Sequence, residues 1–199
     1  MAFLHGFILA LGLILPLGPQ NTLIFNQGAV QPKFLNALPV VIAAGICDTL
    51  LILLAVSGVS VVIFKFSAVT YLVLVVGIIF LIYMGILTWK STSAETNHFN
   101  NVFTIKKQIL FASSVSIFNP HAVMDIIGVI GISSLQYSGI DKIVFTSATI
   151  LVSFAWFFFL VLLGRVIRNL GNKTLVVFNR ISAIIMWGSA FYLFLNFLK

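Results

Sequence analysis

The stretch LGLILPLGPQNTLIFNQG, Leu11–Gly28, decides how this chain folds. It has no charged residue and is apolar enough to lie in a bilayer. Yet it carries Pro16 and Pro19, Gly12, Gly18 and Gly28, Asn21 and Asn26, and Gln20 and Gln27. A plain membrane anchor needs none of them. Proline inside a helix removes a backbone hydrogen bond and clashes with the preceding turn. In lipid, every freed backbone group must find a partner, so a break survives only when buried in protein or lining water. Pro16, Gly18 and Pro19 are therefore expected to interrupt a spanning helix. A second half-helix then starts at Pro19, since proline suits the first helical position. Its free N–H groups, near Gln20, Asn21 and Thr22, form a small positive pole in mid-membrane.

The rest of the chain fits a membrane protein. It has 199 residues, 61% of them apolar and only 8% charged. A soluble domain carries about a quarter charged residues, so this chain cannot cover a water-facing surface. The net charge of +7 does not point to nucleic acid, because the basic residues sit between apolar runs. It reads instead as orientation and contact with anionic lipid. The single cysteine, Cys47, excludes an internal disulfide. Met1 to Pro32 contains no Lys or Arg, so the first segment is expected to remain as a span rather than be cleaved as a secretory signal.

A helix needs about 20 apolar residues to cross the hydrocarbon core. Six stretches qualify: Ala2–Ala29, Leu35–Gly58, Ser67–Trp89, Gln108–Ile132, Ile143–Gly164 and Thr174–Leu198. Val59–Phe66 is treated as a connector. Connections one, three and five hold Lys33, Lys90, Lys106, Lys107, Arg165, Arg168 and Lys173, with Arg180 close by, against Lys65, Lys142 and Lys199 opposite. That bias places the first set in the cytoplasm and both termini outside. A five-span, N-in arrangement is the alternative.

The two halves look alike. GPQN at Gly18–Asn21 sits mid-span in the first helix, and NPHA at Asn119–Ala122 sits likewise in the fourth. Gly85 and Gly188 occupy matching places in the third and sixth spans, and the second and fifth both close on glycine, Gly58 and Gly164. Three spans per half require the second half to insert upside down. The expected fold is thus an all-α integral membrane protein. Six transmembrane helices form two inverted three-helix repeats, with helices 1 and 4 broken. The chain is one transporter domain, with repeat one at 1–90, a polar linker at 91–105 and repeat two at 106–199.

The chain has four acids, and two of them carry the chemistry. Glu95 and Asp141 lie in polar loops and read as solvated charges. Asp48 is near the middle of the second span, and Asp125 follows the Asn119–Pro120 break by less than two turns. No Lys or Arg shares either span. An intramembrane carboxylate needs a partner or a proton. The missing cation is read as a substrate, a proton or an ion; an Asp held protonated by neighbouring helices is the structural alternative. Asn119 and Pro120 repeat the first break, with Asn as N-cap and Pro in the first turn. Gly18, Pro19, Gln20, Asn21, Asn119 and Pro120 would together hold a carboxylate between two helix poles, unless the prolines are mere kinks. A molecule with an acidic and a cationic end is an amino acid, and a dibasic one would use the second aspartate. His121 is a candidate proton relay or a packed side chain. Trp156 is a candidate to flank a cationic substrate, otherwise packing. Three scattered histidines and one cysteine give no metal site, no cofactor is implied, and no nucleophile–base pair suggests an enzyme.

At these residues the chain resembles the lysine exporter (LysE) family, nearest its arginine/lysine exporter branch. The matching segments are LPLGPQNTLIFNQG at Leu15–Gly28, CD at Cys47–Asp48, FNPHAVMD at Phe118–Asp125, SFAWFF at Ser153–Phe158 and FNRISAIIMW at Phe178–Trp187. Neutral amino-acid exporters of the same superfamily lack the acid at the position of Asp125. One departure is Val123, where the family often has Tyr. The resemblance implies export of arginine or lysine from a bacterial cell, by a multi-pass protein of the cytoplasmic membrane. Moving one positive charge outward against 100 mV costs about 2.3 kcal/mol, roughly a fiftyfold concentration ratio. Exchange for an entering proton removes that electrical cost, so Asp48 or Asp125 is expected to alternate between substrate cation and proton, one half rocking against the other. The partners expected are the substrate and membrane lipid, with a homo-oligomer left open. The alternatives are export of another small solute, a neutral amino acid or a metal cation, and a non-transporting membrane subunit.

Overall fold

The computed structural model describes residues 1–16, 18–59, 67–90, 102–168 and 172–197. Leu17 in the first break, most of the Val59–Phe66 connector and most of the linker, with Glu95 and His98, lie outside the described residues. The described chain is helical, with no strand. In order it forms α1 (Ala2–Ile14), α2 (Pro19–Val30), α3 (Leu38–Leu54), α4 (Ser67–Lys90), α5 (Ile105–Phe118), α6 (Pro120–Met124), α7 (Gly131–Ser134), α8 (Gly139–Arg168) and α9 (Asn172–Phe197). A 3-10 turn, Phe34–Ala37, leads into α3, and wider π turns follow α3 at Ala55–Val59 and join α6 to α7 at Asp125–Ile130.

These bounds track the apolar runs because the same runs exclude water. Two helical stretches, Phe34–Gly58 and Gly139–Ile167, are long and apolar enough to cross a membrane unaided. Two bent pairs pass the same test only when taken together, each as a broken span or a re-entrant loop. Ala2–Ile14 and Pro19–Val30 meet at 80°, and Ile105–Phe118 and Ala122–Ser134 meet at 63°. The expected interruptions of the first and fourth apolar runs are therefore present. α4 and α9, at 24 and 26 residues, run antiparallel beside each other. Trp187 reaches Ile82, and Arg180 lies over the Trp89 ring at 5.5 Å, which sets their opposite directions.

Burial is inverted relative to a water-soluble protein. Along α3, Ile42, Ile46, Leu50 and Leu53 are exposed, whereas Val41, Ala44, Gly45, Asp48 and Ile52 face inward. Residues three and four apart share a helix face. The inward stripe is thus small residues plus one acid, and the outward stripe is hydrocarbon. A continuous apolar exterior of this kind suits lipid.

The packing crosses between chain halves. α1 and α2 both lie along α8, while α5 packs on α3. α3 and α8 also touch each other. Small residues permit this closeness. A Cβ on Gly6 would come within 2.6 Å of the Phe145 carbonyl oxygen, and one on Gly28 within 2.7 Å of Val161 Cα. A Cβ on Gly164 would strike the Phe25 carbonyl.

Neither of the two glycine pairs matches as expected. Gly58 has φ 93° and ends a helix, a left-handed position that suits glycine. Gly164 lies inside α8, where it admits the α2 backbone. Likewise Gly85 accommodates the Trp187 indole, whereas nothing stands within 4 Å of a Cβ on Gly188. Each pair shares a letter in the sequence but not a role, because neighbours across the fold decide what a missing side chain is for.

Candidate functional site

α2 is the element around which the site is built. Every residue from Pro19 to Ala29 is buried, polar ones included. A helix enclosed on all sides can carry amides only if they find partners. Asn21 does so locally: its Nδ2 donates to the carbonyls of Ile14 and Pro16, each at 2.8 Å. Those are carbonyls that the end of α1 leaves without helical donors. Gly18 N donates to Pro16 O at 2.8 Å, and the Gly18 carbonyl opens α2 by accepting from Thr22 N and Thr22 Oγ1 at 3.0 Å. The break is thus a closed hydrogen-bonded unit, and the Asn21 side chain is part of its frame.

Gln20, one residue into α2, points the other way. Its Nε2 donates to Asp48 Oδ1 on α3 at 2.9 Å, and both residues are 5% exposed. Ser153 of α8 stands beside the same carboxyl. The donors on Asp48 are therefore neutral. A neutral donor steadies a carboxylate without cancelling its charge.

These groups open on one cavity of about 80 Å³. Pro16, Gly18, Pro19, Gln20 and Asn21 line it from the first break, Asp48 from α3, and Asn119 and Asp125 from the second break. The structure thus brings together both intramembrane acids and both interruptions, which lie about a hundred residues apart in sequence. Ser153 and Ser189 complete the polar lining, and Ile14, Ile52, Leu81, Ile130, Phe157 and Met186 are among the apolar wall. No Lys, Arg or His is among the described residues of the lining. No group of three metal-binding side chains occurs among the described residues.

The second break differs in detail from the first. Asn119 ends α5 with φ −83° and ψ 100°, and its backbone carbonyl accepts from Val123 N at 3.0 Å. Its side chain does not act as the expected N-cap: Asn119 Oδ1 is buried with no hydrogen-bond partner. Asp125 begins the π turn, a widened helical geometry that often marks functional sites. Nothing in the residue pattern announced that turn. The side chains of Pro120 and His121 lie outside the described residues. Val123, where a Tyr was expected from the resemblance, packs into an apolar cluster with Ile126, Ile127 and Ile130.

Trp156 is placed elsewhere. It is half-buried against the main core and Phe159 and does not line the cavity; its neighbour Phe157 does. A helix turns 100° per residue, so adjacent aromatics face different surroundings. Trp156 as a flank for a cation is therefore not supported.

Further along α2, beyond the residues that line the cavity, a second set of buried amides is hydrogen-bonded together. Gln31 Nε2 donates to Gln27 Oε1 at 3.0 Å and to Phe103 O at 2.9 Å, and Gln108 Nε2 donates to Asn36 O at 2.8 Å. Asn26 donates to Asn179 Oδ1 at 3.2 Å, and the Phe25 and Phe178 rings stack at 3.6 Å. Elsewhere, His5 Nδ1 lies 2.9 Å from Tyr137 Oη. Nothing in the sequence marks His5 or the amide cluster as a unit. Its members come from α2, the turn before α3, α5 and α9, so only folding assembles it.

The family model described as LysE type translocator matches residues 11–196, nearly the whole chain and both halves of this cavity. The chain belongs to the LysE translocator family. A relative in Bacillus subtilis (strain 168), provisionally named amino-acid transporter YisU, is 47% identical over 193 residues, covering 96% of this chain and 88% of its own. The arginine exporter protein ArgO of Pectobacterium carotovorum subsp. carotovorum (strain PC1) is 30% identical over 197 residues, covering 96% and 95%. ArgO of Salmonella newport (strain SL254) is 29% identical over 197 residues, covering 96% and 92%. These LysE relatives are named as transporters, not enzymes. No solved structure matches the chain.

Proposed function

We propose that the chain exports basic amino acids, arginine or lysine, across the bacterial cytoplasmic membrane in exchange for protons. The observation that carries this reading is the cavity itself. Asp48 and Asp125 line one cavity beside two helix breaks, and no described basic side chain lines it. A site with that charge is complementary to a cation. The first turn of α2, with its positive pole, offers a place for the α-carboxylate through backbone N–H groups. Asn119 and Pro120 are assigned to the second pole, and His121 to a proton path. The relatives named as arginine exporters support the substrate class.

The architecture in this reading is six spans in two inverted three-helix repeats, 1–90 and 106–199, joined by the 91–105 linker. The exchange of partners between halves supports it, since the broken helix of each half packs on the second long helix of the other. With both termini outside, the cavity is reached from the outer side, because α1 rather than the body of α2 contributes its wall. The buried amides around Gln27, Gln31 and Gln108 then close the cytoplasmic side.

Counterflow in proteoliposomes with labelled arginine, lysine and threonine, with and without a pH gradient, tests the proposal. Arginine or lysine should exchange, and an inward proton gradient should drive their export. Exchange of threonine alone, or indifference to the gradient, would overturn the substrate or the coupling respectively.

A further inference from the structure

An exchanger must satisfy one condition beyond binding. Its loaded forms must switch sides and its empty form must not, or the gradient is dissipated. The structure contains a contact suited to that condition. Gln20 sits in the first turn of α2, and α2 is the buried plug whose lower end carries the Gln27–Gln31 amides. From α2, only Pro19, Gln20 and Asn21 reach the cavity. Of these, the Asn21 side chain is tied to the break, while Gln20 reaches across to Asp48 Oδ1 at 2.9 Å. The contact is buried on both sides. It is a direct link between the proposed cation site and the plug.

Its strength depends on what Asp48 carries. A hydrogen bond to an ionised carboxylate is about twice as strong as one between neutral groups. The bond therefore holds α2 to α3 most firmly when the carboxylate is bare. An arriving ammonium or guanidinium competes for the same oxygen. A proton on the carboxyl neutralises the acceptor. Either occupant loosens the tie. Asp125 is the other charged group among the described residues lining the cavity, and the remaining neighbour of the carboxyl, Ser153, is neutral.

We propose that Gln20 is a positioning residue that locks the empty carrier, by donating to the bare Asp48 carboxylate and so holding the α2 plug against α3. This rests on the exchanger reading above. Gln20 is thereby moved from a carboxylate ligand of the substrate to a competitor of the substrate's cationic end.

The two roles predict opposite signs. Gln20→Met keeps the length of the side chain and removes the donor. If Gln20 competes for Asp48, purified Gln20→Met should bind labelled arginine about tenfold more tightly than wild type, since no strong bond must be broken first. In proteoliposomes held at the same alkaline pH on both sides, where the carboxyl of the empty carrier is bare, wild type should show rapid arginine–arginine exchange and slow net efflux into arginine-free buffer. In Gln20→Met, net efflux should rise to within a few-fold of exchange, because the empty carrier now returns. Gln20→Ala should do the same and serves if the Met variant does not fold. A merely structural role would lower both fluxes together and leave their ratio unchanged. An unchanged ratio, or weaker arginine binding, in a folded variant refutes the lock. Absence of arginine or lysine exchange in wild type refutes the substrate assignment instead, and the ratio is then measured with the amino acid that wild type does exchange. A wild type whose net efflux equals its exchange refutes the lock outright.

Discussion

Replacing Gly28 by alanine tests the crossing on which the site depends. The new Cβ would lie 2.7 Å from Val161 Cα and nearer still to the Val161 carbonyl oxygen, whereas ordinary contact begins at 3.4 Å. The obstacle is backbone inside α8, so no side chain can swing away. α2 and α8 must separate by at least about 0.7 Å, the shortfall at Val161 Cα, and by more at the carbonyl oxygen. Overpacking of this kind costs about 1–3 kcal/mol. Alanine returns about 1 kcal/mol through its better helix propensity. With rigid atoms on both sides the upper end applies, leaving a net loss of about 2 kcal/mol. Gly188→Ala is the matched control, since nothing stands within 4 Å of its Cβ. It should show only the propensity gain, so the two variants should differ by about 3 kcal/mol. At about 2–4 °C per kcal/mol for a chain of this size, thermal unfolding in detergent should place Gly28→Ala roughly 5 °C below wild type and Gly188→Ala at or above it. Gly164→Ala meets the Phe25 carbonyl at the same crossing, so its effect should not add fully to that of Gly28→Ala. Equal midpoints for Gly28→Ala and Gly188→Ala would show that the α2 and α8 backbones do not meet as described.

Asp48→Asn should abolish arginine or lysine export while leaving the protein in the membrane; full transport by that variant would remove Asp48 from the mechanism. Asn21→Leu strands the Ile14 carbonyl, at about 1–3 kcal/mol for a buried group left unpaired, and removes one of the two donors on the Pro16 carbonyl, which keeps Gly18 N. It should unfold well below wild type in a detergent melt, and a wild-type midpoint would mean that the break does not need its frame. Trp156→Phe should leave the half-saturating arginine concentration within about twofold of wild type, because a cation–π partner is worth about 0.5–2 kcal/mol or more and this ring does not line the cavity. A tenfold change measured by counterflow would return Trp156 to the site.

Much of this protein is legible in its residues because lipid imposes rules that depend on composition and local order alone. Uncharged apolar runs mark helices, and prolines set among amides within such runs mark breaks, since hydrocarbon tolerates no unpaired backbone. Asp48 and Asp125 stand out for the same reason: an acid in such a run is too costly to be idle. The family could be recognised from the segments around those residues.

What tertiary structure decided is partnership. Gln20 and Asn21 are adjacent amides in one motif, yet one frames the break and the other holds Asp48. Gly58 and Gly164 look equivalent, yet one turns the chain and the other admits a neighbouring helix. Trp156 and Phe157 are successive aromatics, and only the second meets the cavity. Residue type and spacing specify which groups must be satisfied, because that follows from the solvent. Which group satisfies which depends on helices from both halves of the chain meeting at fixed angles, and no local stretch of sequence contains that information.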